Sequence, residues 1–238
     1  MTCFLTSATV IPDTNILNPA NRFIDELRLR LPAGCRALHI CSDPDNRQKM
    51  DFHAALTKQS FEDAGFSFVD YGVLDGRNEE SAEELVLGAD LLILAGGHVP
   101  TQNRFFRKIG LREMLKDYSG VIIGISAGNM NSAETVYSQP EMDGEAIDPD
   151  YCRFFPGLGL TKTMLLPHYQ DAKDDVLDGM RLFEDITFPD SYGRTFYAIP
   201  DGSYLFIDSD GEELRGEAYM IRDGVMSKIS SDGDTVLL

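Results

Sequence analysis

The stretch that decides the fold is Gly120-Val-Ile-Ile-Gly-Ile-Ser-Ala-Gly128. Its first half is an apolar run rich in β-branched residues, which is typical of a strand buried on both faces of a parallel sheet. Its second half reads Gly-x-Ser-x-Gly, which predicts a sharp strand-to-helix turn that holds Ser126 exposed. The alternative is a plain glycine-rich turn in which Ser126 only caps the following helix. Taken alone, the stretch leaves both interpretations open.

Further apolar runs surround this stretch and alternate with amphipathic segments. Strands are predicted at 35–41, 66–71 and 89–95, and helices at 51–64 and from about 101 to 116. Apolar strands separated by helices predict an α/β fold with a mostly parallel sheet that carries helices on both faces.

The last part of the chain changes character after residue 196. Short strand-like runs are separated by four Asp-Gly dipeptides, which are typical of hairpin turns: Asp201-Gly202, Asp210-Gly211, Asp223-Gly224 and Asp232-Gly233. We expect C-terminal antiparallel hairpins attached to the edge of the parallel sheet. Because no linker or repeat divides the sequence, residues 1–238 are predicted to form a single α/β domain.

Composition narrows the function. The chain has 238 residues, of which 43% are hydrophobic, and 39 acidic against 21 basic residues give a net charge of −18. Such a charge disfavours nucleic-acid and anionic membrane partners. The start lacks a basic leader, no run approaches a membrane span, and the four cysteines form no CxxC pair, so a cytoplasmic protein is expected. The absence of HExxH, GxGxxG and Walker A patterns predicts no metal and no nucleotide cofactor.

A serine nucleophile needs a base, and the chain has four histidines. His168 follows an apolar run, where a strand-end loop projects side chains over the carboxyl edge of a parallel sheet. His98 follows Gly96-Gly97 at another strand end and ranks second. His39 lies within a predicted strand and His53 on a polar helix face, where packing or solvation is expected. The predicted base is therefore His168.

Gly96 and Gly97 end the strand that precedes the Ser126 strand in the chain. Glycines at this position let backbone N–H groups face a substrate, and together with the N–H of Ala127 they would form an oxyanion hole. The alternative is a tight turn that requires positive φ. The neighbouring serine motif favours the oxyanion hole.

Three segments together resemble the peptidase E (α-aspartyl dipeptidase) family of serine peptidases: Ala95-Gly-Gly-His-Val-Pro-Thr-Gln-Asn103, Gly124-Ile-Ser-Ala-Gly-Asn129 and Leu166-Pro-His-Tyr169. That family is related to cyanophycinases and is similar in fold to class I glutamine amidotransferases. The resemblance covers most of the chain, from about residue 35 to residue 203. It implies a cofactor-free peptidase with a small peptide as its partner, Ser126 as nucleophile, His168 as general base, and Gly97 with Ala127 as the oxyanion hole.

The third member of the triad is assigned by the same resemblance. An acid about fifteen residues after the serine corresponds to Glu141, where peptidase E itself carries Asp. Glutamate can orient an imidazole as aspartate does. Competing acids are Glu134, Asp143 and Asp171.

The sequence leaves two substrate classes open. Dipeptides with N-terminal Asp are the first candidate, and isoaspartyl or cyanophycin-type peptides are the alternative. An aspartyl side chain would need a cation, and Arg104, Arg153 and Arg181 are the candidates. His98, Asn129 and Arg181 are further candidates for contacts with the substrate.

Three other classes fit less well. An α/β-hydrolase esterase usually carries its histidine late in the chain, whereas here no histidine follows His168. An amidotransferase needs a cysteine at the elbow, where this chain has Ser126. A non-catalytic, amidotransferase-like binding module would have no need of Ser126, His168 and the paired glycines together.

Overall fold

The computed structural model describes residues 1–238, with sixteen strands and eight α-helices. The strands are β1 (Thr2–Thr6), β2 (Cys35–Ile40), β3 (Phe68–Leu74), β4 (Leu91–Leu94), β5 (Val121–Ile125), β6 (Thr135–Tyr137), β7 (Phe154–Pro156), β8 (Met164–Leu166), β9 (Val176–Leu177), β10 (Met180–Arg181), β11 (Thr195–Ala198), β12 (Tyr204–Asp208), β13 (Gly211–Arg215), β14 (Ala218–Arg222), β15 (Val225–Ser230) and β16 (Thr235–Leu237). The helices are α1 (Phe23–Arg30), α2 (Arg47–Asp63), α3 (Ala82–Gly88), α4 (Val99–Ile109), α5 (Leu111–Met114), α6 (Ala127–Met130), α7 (Tyr169–Ala172) and α8 (Phe188–Asp190).

The main sheet has eight strands in the order β16-β13-β12-β1-β5-β4-β2-β3. The five strands from β1 to β3 pair in parallel, and β12, β13 and β16 add an antiparallel edge beside β1. The predicted α/β fold with a mostly parallel sheet and C-terminal hairpins is confirmed.

Strand β4 shows why the central strands are continuously apolar. Leu91 and Ile93 belong to one buried cluster, and Leu92 and Leu94 belong to another. Because side chains alternate along a strand, the two clusters lie on opposite faces of the sheet. Both faces of the sheet are therefore buried at this strand, which is why its sequence does not alternate between apolar and polar residues.

The C-terminal part differs from the expected edge in one respect. Strands β8, β11, β14 and β15 form a second, four-stranded sheet. Only the turns at Asp210-Gly211 and Asp223-Gly224 join paired strands. The turns at Asp201-Gly202 and Asp232-Gly233 instead carry the chain from one sheet to the other, because the strands on either side belong to different sheets. Asp-Gly signals a reversal of direction but does not specify which strands pair.

The helix predicted from about 101 to 116 is interrupted. Gly110 has φ of 72°, a left-handed conformation that ends α4 before α5 begins. No helix in the structure has both the length and the apolar character needed to cross a membrane.

Two sets of strand ends position the candidate site. Strand β1 pairs in parallel with β5, so Ser7 follows Thr6 at the edge where Ser126 follows Ile125. Strands β8 and β11 are also parallel neighbours, so His168 and Asp201 emerge from the same edge of the second sheet. Parallel pairing places the carboxyl ends of each pair side by side. A hydrogen bond from the His168 N–H to Ser7 Oγ joins the two pairs, so four distant segments meet at one place.

Candidate active site

Ser126 occupies a strained turn between β5 and α6. Its backbone has φ of 51° and ψ of −111°, a conformation that residues other than glycine rarely adopt. Its N–H donates to the Thr6 carbonyl at 3.1 Å, and its carbonyl accepts from Met130 N–H at 3.0 Å. Strain of this kind costs about 1–3 kcal/mol and persists only where surrounding structure imposes it. The turn leaves Ser126 half-buried and lining two clefts.

The glycines of the motif have steric reasons. A Cβ on Gly128 would overlap the backbone of Leu94 in β4, and one on Gly124 would lie 3.0 Å from the backbone of Asn129. These two positions let α6 pack tightly against the sheet. A Cβ on Gly96 would come 3.4 Å from the Cβ of Ser126, so this glycine lies beside the serine.

His168 is held by a cluster of hydrogen bonds behind its ring. Nδ1 donates to Asp201 Oδ1 at 2.8 Å, and the His168 backbone N–H donates to Ser7 Oγ at 2.8 Å. The Ser7 hydroxyl in turn donates to Asp201 Oδ1 at 2.5 Å, and Asp201 N–H donates to Gln170 Oε1 at 3.0 Å. The His168 side chain is 38% exposed while that of Asp201 is 13% exposed. With Nδ1 engaged by a carboxylate, Nε2 is the free nitrogen of the imidazole.

The electrostatics of this pair favour a charged carboxylate. Burial on its own would raise the pKa of Asp201, but the hydrogen bonds from His168 and Ser7 outweigh burial and lower the pKa below its ordinary 3.8. An ionised Asp201 can stabilise an imidazolium on His168.

Glu141 makes no hydrogen bond or ion pair with His168. Its Oε1 accepts the N–H of Val99 at 3.0 Å, and its own N–H donates to Glu145 Oε2 at 3.0 Å. The acid that contacts the imidazole is Asp201, which corrects the spacing-based assignment of Glu141. The physical reason is that the loop after β6 returns to the start of α4, whereas the turn after β11 ends beside His168. Glu141 still lines one of the clefts beside Ser126.

His98 is engaged at both ring nitrogens. Nδ1 contacts Thr101 Oγ1 at 2.7 Å, and Nε2 contacts Glu145 Oε1 at 2.8 Å. Neither nitrogen is free to take a proton from Ser126. His98 is absent from the lining of both clefts beside the serine.

Gly97 and Ala127 are the predicted oxyanion donors. Gly97 is exposed with φ of 149°, and its N–H donates to no other group of the protein. A Cβ at Gly97 would overlap Ser42. Ala127 is the first residue of α6, so its N–H has no partner within the helix. Gly97 lines both clefts together with Ser126, and Ala127 follows the serine directly, so an oxyanion hole formed by these two N–H groups stays a prediction.

Two clefts meet at Ser126, His168 and Gly97. The first has a volume of about 250 Å³; its acidic lining residues are Glu141, Asp171 and Asp175, and no lysine or arginine lines it. The second has a volume of about 510 Å³; its lining includes Lys49, His39 and His53, and no acidic residue. The candidate nucleophile therefore lies between an acidic cleft and a basic one.

A family model, peptidase family S51, matches residues 4–215. The chain belongs to peptidase family S51. It is also similar in structure to a protein from Listeria monocytogenes EGD-e described as a "Putative Peptidase E Protein", with a TM-score of 0.59 at 15% identity, over 96% of this chain and 98% of that one. No protein of curated function matched the chain in sequence. The resemblance to the peptidase E family and the assignment to serine peptidases are thereby confirmed.

The remaining predicted substrate contacts of this S51 chain make hydrogen bonds or ion pairs within the protein. Asn129 is buried, and its Nδ2 donates to the Thr6 carbonyl at 3.3 Å, so it ties α6 to β1. Arg181 is exposed and pairs with Asp185 at 2.8 Å, and it lines neither cleft. Arg153 pairs with Asp190 at 3.0 Å, and Arg104 donates to Thr101. None of the three arginines faces the acidic cleft.

One group of side chains in this S51 chain could hold a metal ion. His168, Asp171 and Asp201 each bring one ligand atom within 4.8 Å of the others. The His168 and Asp201 atoms already bond to each other at 2.8 Å, and Asp171 accepts the Gln170 amide at 2.8 Å. These hydrogen bonds already occupy side-chain groups that would have to coordinate a metal ion.

Asp201 and Ser7 are the residues that sequence reasoning about this S51 chain missed. The Asp201-Gly202 dipeptide by itself predicts only a hairpin turn. The available signal was a repeated pattern, since Leu166-Pro167-His168 and Ile199-Pro200-Asp201 both place a polar residue after an apolar strand and a proline. Ser7 lies just past β1 and carries no comparable signal.

Proposed function

We propose that this protein is a serine peptidase that hydrolyses small peptides through Ser126, His168 and Asp201. The observation that carries the proposal is the hydrogen bond from His168 Nδ1 to Asp201, beside a serine held in a strained elbow on the same cleft. A nucleophile, a base and an acid that orients the base are the parts that acyl transfer requires.

In the proposed first step, Ser126 Oγ attacks the peptide carbonyl while His168 Nε2 takes the hydroxyl proton. The carbonyl oxygen becomes an oxyanion that accepts from the N–H groups of Gly97 and Ala127. The C–N bond then breaks, and His168 passes its proton to the leaving amine. The product of this step is an acyl ester on Ser126.

Water completes the cycle by the same route. The water oxygen attacks the ester carbonyl while His168 takes a proton from that water. The proton passes to Ser126 Oγ when the ester bond breaks. Asp201 keeps the imidazole in the tautomer that frees Nε2, and Ser7 holds both Asp201 and the His168 backbone. Ser7 is accordingly a positioning residue.

The acidic cleft supports a preference for a free amino terminus. Glu141, Asp171 and Asp175 line it without any lysine or arginine, so an ammonium group would be stabilised there. An N-terminal aspartyl side chain in the same cleft would have no cation to pair with. We therefore propose dipeptides and other short peptides with a free amino terminus as substrates, and N-terminal Asp is not favoured.

The test is hydrolysis of matched dipeptides with neutral, Asp and isoaspartyl first residues, with each measured on wild type and on Ser126→Ala. Serine-dependent cleavage that is strongest for neutral-first peptides is the expected result. Cleavage restricted to isoaspartyl peptides would assign the cyanophycin-type alternative. Hydrolysis that survives in Ser126→Ala would overturn the mechanism, and no hydrolysis by folded wild type would favour a binding module.

A further inference from the structure

The second cleft beside Ser126 contains a lysine and no carboxylate, although the molecule as a whole is strongly acidic. The chain carries 39 acidic and 21 basic residues, yet no aspartate or glutamate lines this cleft of about 510 Å³. Three of the four histidines and Lys49 line it. Since a cleft with one sign of charge attracts ligands of the other sign, its lining points to an anionic ligand group.

His39 supplies a buried polar atom at this cleft. The side chain lies on β2 and the residue is only 2% exposed, and its Nε2 has no hydrogen-bond partner in the protein. Its other nitrogen, Nδ1, lies 3.4 Å from the Tyr71 hydroxyl. Buried polar atoms are almost always satisfied, so an unpartnered one in the lining of a cleft marks a place for a ligand atom.

Burial also decides the protonation of His39. Desolvation, followed by repulsion from His53, lowers the pKa of His39 to about 4. The ring is therefore neutral near pH 7. If Nδ1 accepts from Tyr71, Nε2 carries the proton and can donate it to an acceptor oxygen.

Lys49 supplies the charge. It lies in the first turn of α2, it is exposed, and its ammonium makes no ion pair with any acid of the protein. Lys58 on the same helix instead pairs with Glu62 at 3.6 Å and lies outside the cleft. In so acidic a chain, an unpaired lysine at the rim of a cleft is an available partner for a carboxylate.

We propose that the second cleft binds a carboxylate of the peptide substrate, with Lys49 as its charge partner and His39 as a buried hydrogen-bond donor. The inference rests on the proposed function because Ser126 and His168 line both clefts. A dipeptide would then lie across the serine with its ammonium in the acidic cleft and its C-terminal carboxylate in the basic one. His168 would face the scissile amide between them.

The carboxylate has two sources, the C-terminus and an aspartyl side chain, and three probes separate them. Alanyl-alanine carries only a C-terminal carboxylate, its amide carries none, and aspartyl-alanine amide carries only a side-chain carboxylate. Binding is measured by calorimetry on Ser126→Ala, which removes turnover. Binding does not depend on hydrolysis, so a failure of the peptidase proposal is distinguishable from a failure of this one.

Adding Lys49→Met to Ser126→Ala should weaken binding of one carboxylate-bearing peptide about 10- to 100-fold, and leave binding of alanyl-alanine amide unchanged. Loss confined to alanyl-alanine assigns the C-terminus, and loss confined to aspartyl-alanine amide assigns the side chain. Lys49→Arg should retain most of the affinity, and the control Lys58→Met should retain all of it. The proposal is overturned if Ser126→Ala shows no preference for either carboxylate peptide over alanyl-alanine amide, or if Lys49→Met affects all three alike.

His39→Phe keeps the ring volume and removes the donor. This substitution should weaken binding of the same carboxylate-bearing peptide about 5- to 10-fold. A melting curve checks that the variant is folded. If His39→Phe folds and binds as before, the cleft does not use His39 as a donor and that part of the proposal fails.

Discussion

The two halves of the proposed machinery are built in opposite ways. The Ser126 elbow is local, because nine consecutive residues from Gly120 to Gly128 supply the strand, the turn and the clearance around it. The His168–Asp201 pair is assembled from distant segments, with Ser7 161 residues and Asp201 33 residues away from the histidine. Close packing holds the first half in a strained conformation, and hydrogen bonds hold the second, so substitutions should affect the two differently.

The largest effect is expected at the elbow. Ser126→Ala should lower kcat by about 10⁵- to 10⁶-fold, since it removes the attacking atom. Ser126→Gly should be equally inactive yet more stable than Ser126→Ala by about 1 kcal/mol, because glycine relaxes the positive φ of 51°. Steady-state kinetics and urea unfolding of the two variants measure both effects. Equal stability of the two variants would contradict a strained elbow.

The next effect separates the two candidate acids. Asp201→Asn should lower kcat about 10⁴-fold, because an amide no longer favours the tautomer with a free Nε2 and cannot stabilise an imidazolium. Glu141→Gln is the matched control and should change kcat less than tenfold, since its carboxylate contacts Val99 N–H and not His168. The comparison is made on kcat with one peptide substrate. A greater loss in Glu141→Gln would return the acid role to that residue.

A smaller effect is expected at the support of the pair. Ser7→Ala removes the hydroxyl that donates to Asp201 and accepts from the His168 backbone. We expect kcat to fall about tenfold and the free energy of unfolding to fall by about 1–2 kcal/mol. Ser209→Ala, at an exposed position whose hydroxyl makes only a 3.5 Å contact, is the control and should leave both unchanged. Wild-type kinetics in Ser7→Ala would show that His168 and Asp201 keep their arrangement without the Ser7 hydroxyl.

The smallest effect is a pH dependence of stability at the pair. The folded pKa of Asp201 is lowered, so its contribution is present above the unfolded value near 3.8 and is lost as pH falls through the folded value. The stability difference between wild type and Asp201→Asn should therefore shrink as pH falls below about 4. Urea unfolding of both proteins between pH 6 and pH 3 measures it. A difference that grows on acidification would contradict a lowered pKa.

The same contrast explains what the sequence could predict. The parallel sheet and the elbow are encoded by local patterns, such as the apolar run 121–125 and the flanking glycines. The helix break at Gly110 is also local, because a left-handed glycine is a common end of a helix. The change of sheet at Asp201-Gly202 depends instead on how neighbouring elements pack, and local propensity does not specify that.

The identity of the triad acid also depends on how the strands pair. Only the parallel pairing of β8 with β11 brings Asp201 to His168, and counting residues from Ser126 leads instead to Glu141. The linings of the two clefts cannot be deduced from sequence for the same reason, because His39 and Lys49 lie far from His168 in the chain. A search for polar residues that follow a strand and a proline would have found both His168 and Asp201.

The most direct test of the account is the rate of covalent labelling by a fluorophosphonate, followed by mass spectrometry of the modified peptide. We expect a single adduct on Ser126 in wild type and in Glu141→Gln at similar rates. Labelling should be strongly slowed in His168→Ala and in Asp201→Asn, because both variants lose the activated hydroxyl. An adduct on another residue, or equal slowing in Glu141→Gln and Asp201→Asn, would contradict the Ser126–His168–Asp201 assignment.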